Sequence, residues 1–208
     1  VDLESTDVGV RGCFTGSSDG GRGPRGVSSG GRVAARADML RGTVPLASRP
    51  IAPSDNDFLF ALYVSAREGE LAAWGWTPAQ REAFLRMQWL ARGRDWGARY
   101  PTAEDRVVLV DGQPAGRLLV VRGEKEWRLV DIALLSSHRG GGLGTQLLRE
   151  LLEAASGARV CVRLHVLHDS PARGLYSRLG FQVEPGALPA REDSPYVAME
   201  WTPASRAG

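Results

Sequence analysis

Apolar residues fall along this chain in two alternating periods. Val130 to Leu135 is a nearly unbroken apolar run of strand length, and Leu143, Leu147, Leu148, Leu151 and Leu152 follow it at helical spacing along one face. Between them stands Arg139-Gly140-Gly141-Gly142-Leu143-Gly144-Thr145. The pattern predicts a strand, a glycine turn and a helix over Leu143 to Ala155, which then crosses to a strand from Arg159 to Leu167. Upstream, Arg106 to Val110, a turn at Asp111-Gly112-Gln113, and Ala115 to Val121 read as an antiparallel hairpin. Trp127 to Leu135 extends it into a meander after a turn at Gly123 to Lys125. The fold class is α/β in the broad, α+β sense: a mixed, mostly antiparallel twisted sheet with helices on both faces.

Ahead of the meander, Val44 to Ile51 reads as a first strand. Ser54 with Asp57 gives a helix-start signature before Phe58, Leu59, Leu62 and Tyr63. Thr77, Pro78 and Gln80 form a clearer capping box before Phe84, Leu85, Gln88 and Trp89. Residues 1–42 show no apolar period and carry Gly20-Gly21, Gly30-Gly31, serines and arginines, so they are expected to form a disordered extension. Residues 43–204 are the expected domain and 205–208 a tail.

Composition narrows the class little. The 208 residues are 43% hydrophobic and 24% charged, with 26 basic against 24 acidic side chains and a net charge of +2, which gives no electrostatic case for nucleic acid or membrane as a partner. No apolar run reaches the length of a membrane span. Lys125 is the only lysine, and this arginine bias matches GC-rich bacterial codon usage. Cys13 and Cys161 make no disulfide framework, in keeping with a reducing cytoplasm.

The glycine turn carries the candidate chemistry. Glycines at a strand-to-helix junction let a ligand approach the backbone, and the unpaired N–H groups of the first helical turn favour phosphate. A nucleoside triphosphate loop requires a Gly-Lys-Ser/Thr ending that is missing here. A dinucleotide fingerprint fits Gly140 and Gly142 but finds Thr145 at its sixth position, and lacks an acidic residue about twenty positions on. The spacing Arg139-x-x-Gly142-x-Gly144 resembles instead the coenzyme A pyrophosphate motif of the GNAT superfamily of N-acetyltransferases. A second stretch, Ser170-Pro171-Ala172-Arg173-Gly174-Leu175-Tyr176-Ser177-Arg178-Leu179-Gly180-Phe181, is similar to that family's Asn-Pro-Ala-x-x-Leu-Tyr-x-x-Leu-Gly-Phe segment, in the expected order and at the expected distance.

The resemblance spans about Val44 to Pro203, and it implies the GNAT fold and acetyl-CoA as cofactor. It also implies transfer of an acetyl group to a primary amine, by direct attack in a ternary complex. It assigns pyrophosphate binding to Arg139, Gly140, Gly141, Gly142, Gly144 and Thr145. Pantetheine is expected to pair with the open backbone edge at Leu134, Leu135 and Ser136, with the Leu134 N–H polarising the thioester. Tyr176 is expected beside the sulfur as the acid that protonates the leaving thiolate; without the motif it reads as packing. Ser170, or Asp169 in a one-residue variant, stands where the family has its asparagine, and either caps the following helix.

Asp131, Glu68 and Glu70 are the candidate bases. Asp131 alternates with Leu129 and Ala133 and so is expected on an apolar sheet face, where it needs either a structural partner or a function. Glu68, Glu70, Trp74 and Trp76 suit a cationic amine; the plain alternative makes the tryptophans core and the glutamates solvated. His138, His165 and His168 form no metal set, and Cys161 reads as a small core residue. The acceptor is a small-molecule or peptide amine, and homodimer pairing is compatible with the family. The competing readings are an acyl-CoA-binding module without catalysis and a dinucleotide-binding domain.

Overall fold

In the computed structural model, residues 46–67, 75–184 and 195–204 are described. Glu68, Glu70, Trp74 and the expected N-terminal extension lie outside them.

The elements, in chain order, are β1 (Leu46–Pro50), α1 (Asn56–Ser65), α2 (Pro78–Arg99), β2 (Glu104–Val110), β3 (Gln113–Arg122) and β4 (Glu126–Leu134). After them come α3 (Leu143–Ala158), β5 (Cys161–Leu167), α4 (Ala172–Arg178), β6 (Gln182–Val183) and β7 (Tyr196–Trp201). Seven strands form one sheet in the order β1-β2-β3-β4-β5-β7-β6. Every pairing is antiparallel except β4 with β5, which α3 connects as a crossover. The expected meander is there, and its first turn has a clear cause. Asp111 and Gly112 hold φ of 50° and 76°, the paired left-handed conformations that suit a two-residue hairpin.

The larger core lies between the sheet and α3 with α4. It takes in Leu147, Leu148, Leu151 and Leu152 from α3, Ile132 and Leu134 from β4, and Val162, Leu164 and Val166 from β5. On the other face α2 lays Trp96 against Leu119 and Val130, while Leu85 of α2 packs with Tyr63 of α1. Helices therefore cover both faces, as the pattern predicted.

Two local expectations change. The first helix is not capped by Ser54: a 3-10 turn at Pro53–Asp55 precedes it, and the Asp55 carboxylate accepts from the Ala52 N–H at 2.7 Å and from both terminal nitrogens of Arg49. Asp55 wins because it already has a fixed arginine partner across the turn. Thr77 behaves as predicted, with its hydroxyl accepting from the Gln80 N–H at 3.3 Å and the Gln80 side chain accepting from the Thr77 N–H at 3.0 Å.

The second change reaches the site. Val120 faces Leu129 and Leu119 faces Asp131, so Val130 is an extra residue in β4, a β-bulge. The bulge breaks the alternation on which Asp131 was placed beside Leu129. Leu129, Ile132 and Leu134 face α3, whereas Val130 packs toward α2 and Asp131 meets an arginine of that helix.

Candidate active site

The bulge falls where the central strands part. β4 and β5 are paired only from Glu126 with Cys161 to Leu129 with Leu164. Beyond this point β5 stays with β7 as far as Leu167 opposite Tyr196, and β4 stays with β3 as far as Leu134 opposite Gly116. A V-shaped opening results, with one exposed backbone edge. The Leu135 N–H donates to the Ala115 carbonyl at 2.9 Å on the β3 side. Backbone groups alternate along a strand, so the N–H and C=O of Leu134 point the other way, into the opening. Of the three residues expected to form the edge, Leu134 turns its N–H there. The Leu135 N–H is committed to β3, and Ser136 starts an exposed 3-10 turn, Ser136–His138.

Gly116 makes the close approach of β3 possible. A Cβ there would sit 2.6 Å from Leu134 Cδ2 and closer still to the Ala133 carbonyl.

At the mouth of the opening the chain turns through Gly140 and Gly142, with φ of 78° and 86°, and enters α3. Gly142 is the N-cap and supplies no side-chain cap, although its carbonyl accepts from the Gln146 N–H at 3.0 Å. The N–H groups of Leu143, Gly144 and Thr145 are those a helix leaves unpaired in its first turn. A Cβ placed on Gly140, Gly141 or Gly142 would meet no atom within 4 Å, so this cradle is open on its outer side. Arg139, expected at the pyrophosphate, also makes a structural contact. Its Nε donates to the Leu134 carbonyl at 2.8 Å, tying the turn to the strand end, and its buried Nη2 has no partner among the described residues.

Tyr176 stands on α4. It is fully buried, and its ring packs against Phe181 with centroids 5.6 Å apart. Its hydroxyl has no partner among the described residues, an expensive arrangement for a buried donor. Burial pushes the phenol pKa upward, and the nearby Asp131 charge adds to that, so the proton is retained. Ser170 helps hold this helix: its Oγ accepts from the Ala172 N–H at 3.3 Å.

Asp131 is buried and paired. Its Oδ1 accepts from Arg92 Nη2 at 3.0 Å, and its Oδ2 lies 4.0 Å from Arg117 Nη1. Arg117 is itself held by Asp105 through its Nε and Nη2. These arginines escaped the sequence reading, yet a signal was present. Arg92 continues the inward stripe of Leu85, Trp89 and Trp96 on α2, and Arg117 stands between Ala115 and Leu119 on a buried strand.

The other candidates recede. Cys161 is half-buried and free, and burial, then the Glu200 charge, raises its thiol pKa. Among the described residues no cluster of side chains suits a metal ion. No helix of the described residues is long and apolar enough to cross a membrane.

A family model described as an acetyltransferase (GNAT) domain matches residues 103–183, which hold the meander, the glycine turn and Tyr176. The L-methionine sulfoximine/L-methionine sulfone acetyltransferase of Pseudomonas paraeruginosa is 30% identical over 145 residues, covering 63% of this chain and 76% of that protein. The chain belongs to the GNAT acetyltransferase family. It is accordingly an acyltransferase, in a family whose members bind acyl-CoA. A Pseudomonas aeruginosa protein of the same name is likewise 30% identical, over 147 residues, with coverage of 63% and 76%. The crystal structure of PaiA N-acetyltransferase from Thermoplasma acidophilum in complex with coenzyme A shares the GNAT fold. It has a TM-score of 0.55 at 16% identity and covers 76% of this chain and 98% of that one. An acetyltransferase from Streptococcus agalactiae gives 0.52 at 12% identity, covering 76% and 98%.

The residues of this GNAT domain fit an acyl-CoA. Tyr176 OH and Arg139 Nη2 are buried donors without partners among the described residues. The cradle is open and the strand edge beside it is unpaired.

Proposed function

We propose that the enzyme transfers an acetyl group from acetyl-CoA to a primary amine by direct attack within a ternary complex. The observation that supports this most is the parting of β4 from β5 after Leu129 and Leu164, together with a buried Tyr176 hydroxyl that has no partner among the described residues. The thioester supplies an acyl carbon that an amine can attack. The first-turn N–H groups of α3, with Gly140 to Gly142 beside them, would receive the pyrophosphate, where the helix dipole adds to the attraction. The Leu134 N–H would donate to the carbonyl oxygen as negative charge develops on it.

In this reading the new C–N bond forms as the C–S bond breaks. The electron pair leaves on sulfur, and Tyr176 donates a hydrogen bond to that sulfur. Full proton transfer from Tyr176 would be uphill, because its phenol is raised above the ordinary value while a thiol titrates near about 8.5. The thiolate is protonated from solvent, and the amine releases its proton to solvent. Asp131 is no free base here: its carboxylate is an ion-pair partner of Arg92 and acts on the site by its charge.

The acceptor would enter from the α1 and α2 side, where Leu59, Tyr63, Trp89, Arg92, Asp131 and Ala133 line an indentation. The names of the two Pseudomonas relatives support a small molecule as acceptor, and the reading places the reaction in the bacterial cytoplasm. Thiol release from acetyl-CoA tests the proposal across a panel of amines. Amine-dependent release that Tyr176→Phe slows is expected. An isolable acetylated enzyme that passes its acetyl group onward would refute direct attack.

A further inference from the structure

The indentation beside Asp131 has a volume of about 20 Å³, room for a small polar group, and is partly open to solvent. Among the described residues its charged lining is two arginines and one aspartate. Arg67 and Arg92 both line it, and Arg117 lies behind Asp131. The side chains of Arg92 and Asp131 are only 9% and 7% exposed, and Arg92 Nε has no partner among the described residues. Among the described residues Arg92 therefore has one carboxylate contact, to Asp131, which it shares with Arg117. Burial pulls the Arg92 pKa below its ordinary value, and repulsion from Arg67 and Arg117 works the same way against the attraction of Asp131. An incoming anion would relieve that repulsion, whereas a second cation would aggravate it.

Asp131 adds a second constraint. Its Oδ1 is taken by Arg92, but its Oδ2 is 4.0 Å from Arg117, beyond hydrogen-bond distance, and can accept from an ammonium group. A buried carboxylate next to a buried guanidinium is the complement of an ammonium next to a carboxylate. The rest of the wall is apolar or aromatic: Leu59, Leu62 and the rings of Tyr63 and Trp89, whose centroids are 5.3 Å apart.

We propose that the acceptor is a free α-amino acid with an uncharged side chain, its carboxylate read by Arg92 and its ammonium by Asp131. This rests on the acetyl-transfer reading and deepens it. Arg92 is then a specificity-determining residue, and an amino acid whose carboxylate is blocked is a poor acceptor. The bound ammonium loses its proton before its nitrogen attacks the acyl carbon, and the remaining bonds change as described above.

The test compares L-leucine and L-methionine with their carboxamides, and with phenethylamine, by thiol release at saturating acetyl-CoA. The amides carry the less basic, more readily deprotonated amine, so chemistry alone favours them. The wild-type enzyme is expected to prefer the acids by at least about tenfold in kcat/KM, the scale of one charge-assisted hydrogen bond, and chiefly through KM. Arg92→Met should bring acids and amides to nearly equal rates. If that variant fails to fold, as a thermal melt would show, Arg92→Lys, which keeps the charge but not the fork, should weaken the preference. The wild-type comparison stands without either variant. Amides or phenethylamine accepted as well as or better than the acids would overturn the proposal and leave the acetyltransferase reading intact. Absence of thiol release with every amine would overturn both.

Discussion

Replacing Tyr176 by phenylalanine removes one oxygen and little else, and the structure predicts opposite effects on stability and on rate. The ring is fully buried against Phe181 and would keep its packing in the variant. The hydroxyl, in contrast, has no partner among the described residues, so the free enzyme bears its desolvation without return. Leaving such a donor unpaired costs about 1–3 kcal/mol. Tyr176→Phe should therefore stabilise the free protein by about 1 kcal/mol, a rise in Tm of roughly 2–4 °C for a chain of this size.

Catalysis should move the other way. A hydrogen bond to a developing thiolate is charge-assisted, and its loss of about 1.5–3 kcal/mol lowers kcat roughly 10- to 100-fold. Urea unfolding of the free enzyme and thiol release under saturating substrates measure the two effects. Saturating coenzyme A provides a third readout. It should stabilise the wild type more than the variant, because the hydroxyl then has a partner. A destabilised variant would show that the hydroxyl is bonded in the free protein. An unchanged kcat would remove Tyr176 from the leaving sulfur.

Two further outcomes follow from the geometry. Gly116→Val drives a side chain into Leu134 and the Ala133 carbonyl, so it should cost about 1–3 kcal/mol in urea unfolding and weaken acyl-CoA binding by displacing the end of β4; normal stability and affinity would contradict the close approach. Asp55 titrates at about 2 instead of 3.8, chiefly because Arg49 and then the Ala52 N–H hold its carboxylate. A lowered pKa gives stability that is present above the ordinary carboxylate range and is lost as the pH falls from about 4 toward about 2. Acid unfolding should therefore be shallower in Asp55→Asn than in the wild type, and identical pH dependence would deny the pair.

Much of this arrangement was legible in the residues. Glycines between an apolar run and an amphipathic helix marked the cradle, and Asp111-Gly112 marked a hairpin whose two positive φ angles are those the residue types favour. The capping box at Thr77 placed the start of α2. What escaped came from single-residue irregularity and from long-range pairing. A bulge adds one residue to a strand without altering its composition, so periodicity alone put Asp131 on one face with both Leu129 and Ala133, whereas only Ala133 shares its side. The inward turn of Arg92 depends on a carboxylate 39 residues away, and local propensity carries no record of such a partner. The Arg139 contact with the Leu134 carbonyl was not legible either, since the strand end it ties down is defined only after β4 and the turn have folded together.

Calorimetric titration with acetyl-CoA, with NAD as a control, tests the central claim most directly. The site described here predicts saturable binding of acetyl-CoA and no response to NAD. It also predicts that Gly142→Glu abolishes binding, because the variant places a carboxylate at the cradle and strains a backbone held at φ 86°. A folded wild-type protein that does not bind acetyl-CoA, or a Gly142→Glu variant that binds it equally well, would contradict the assignment of the opening between β4 and β5 as the acyl-CoA site.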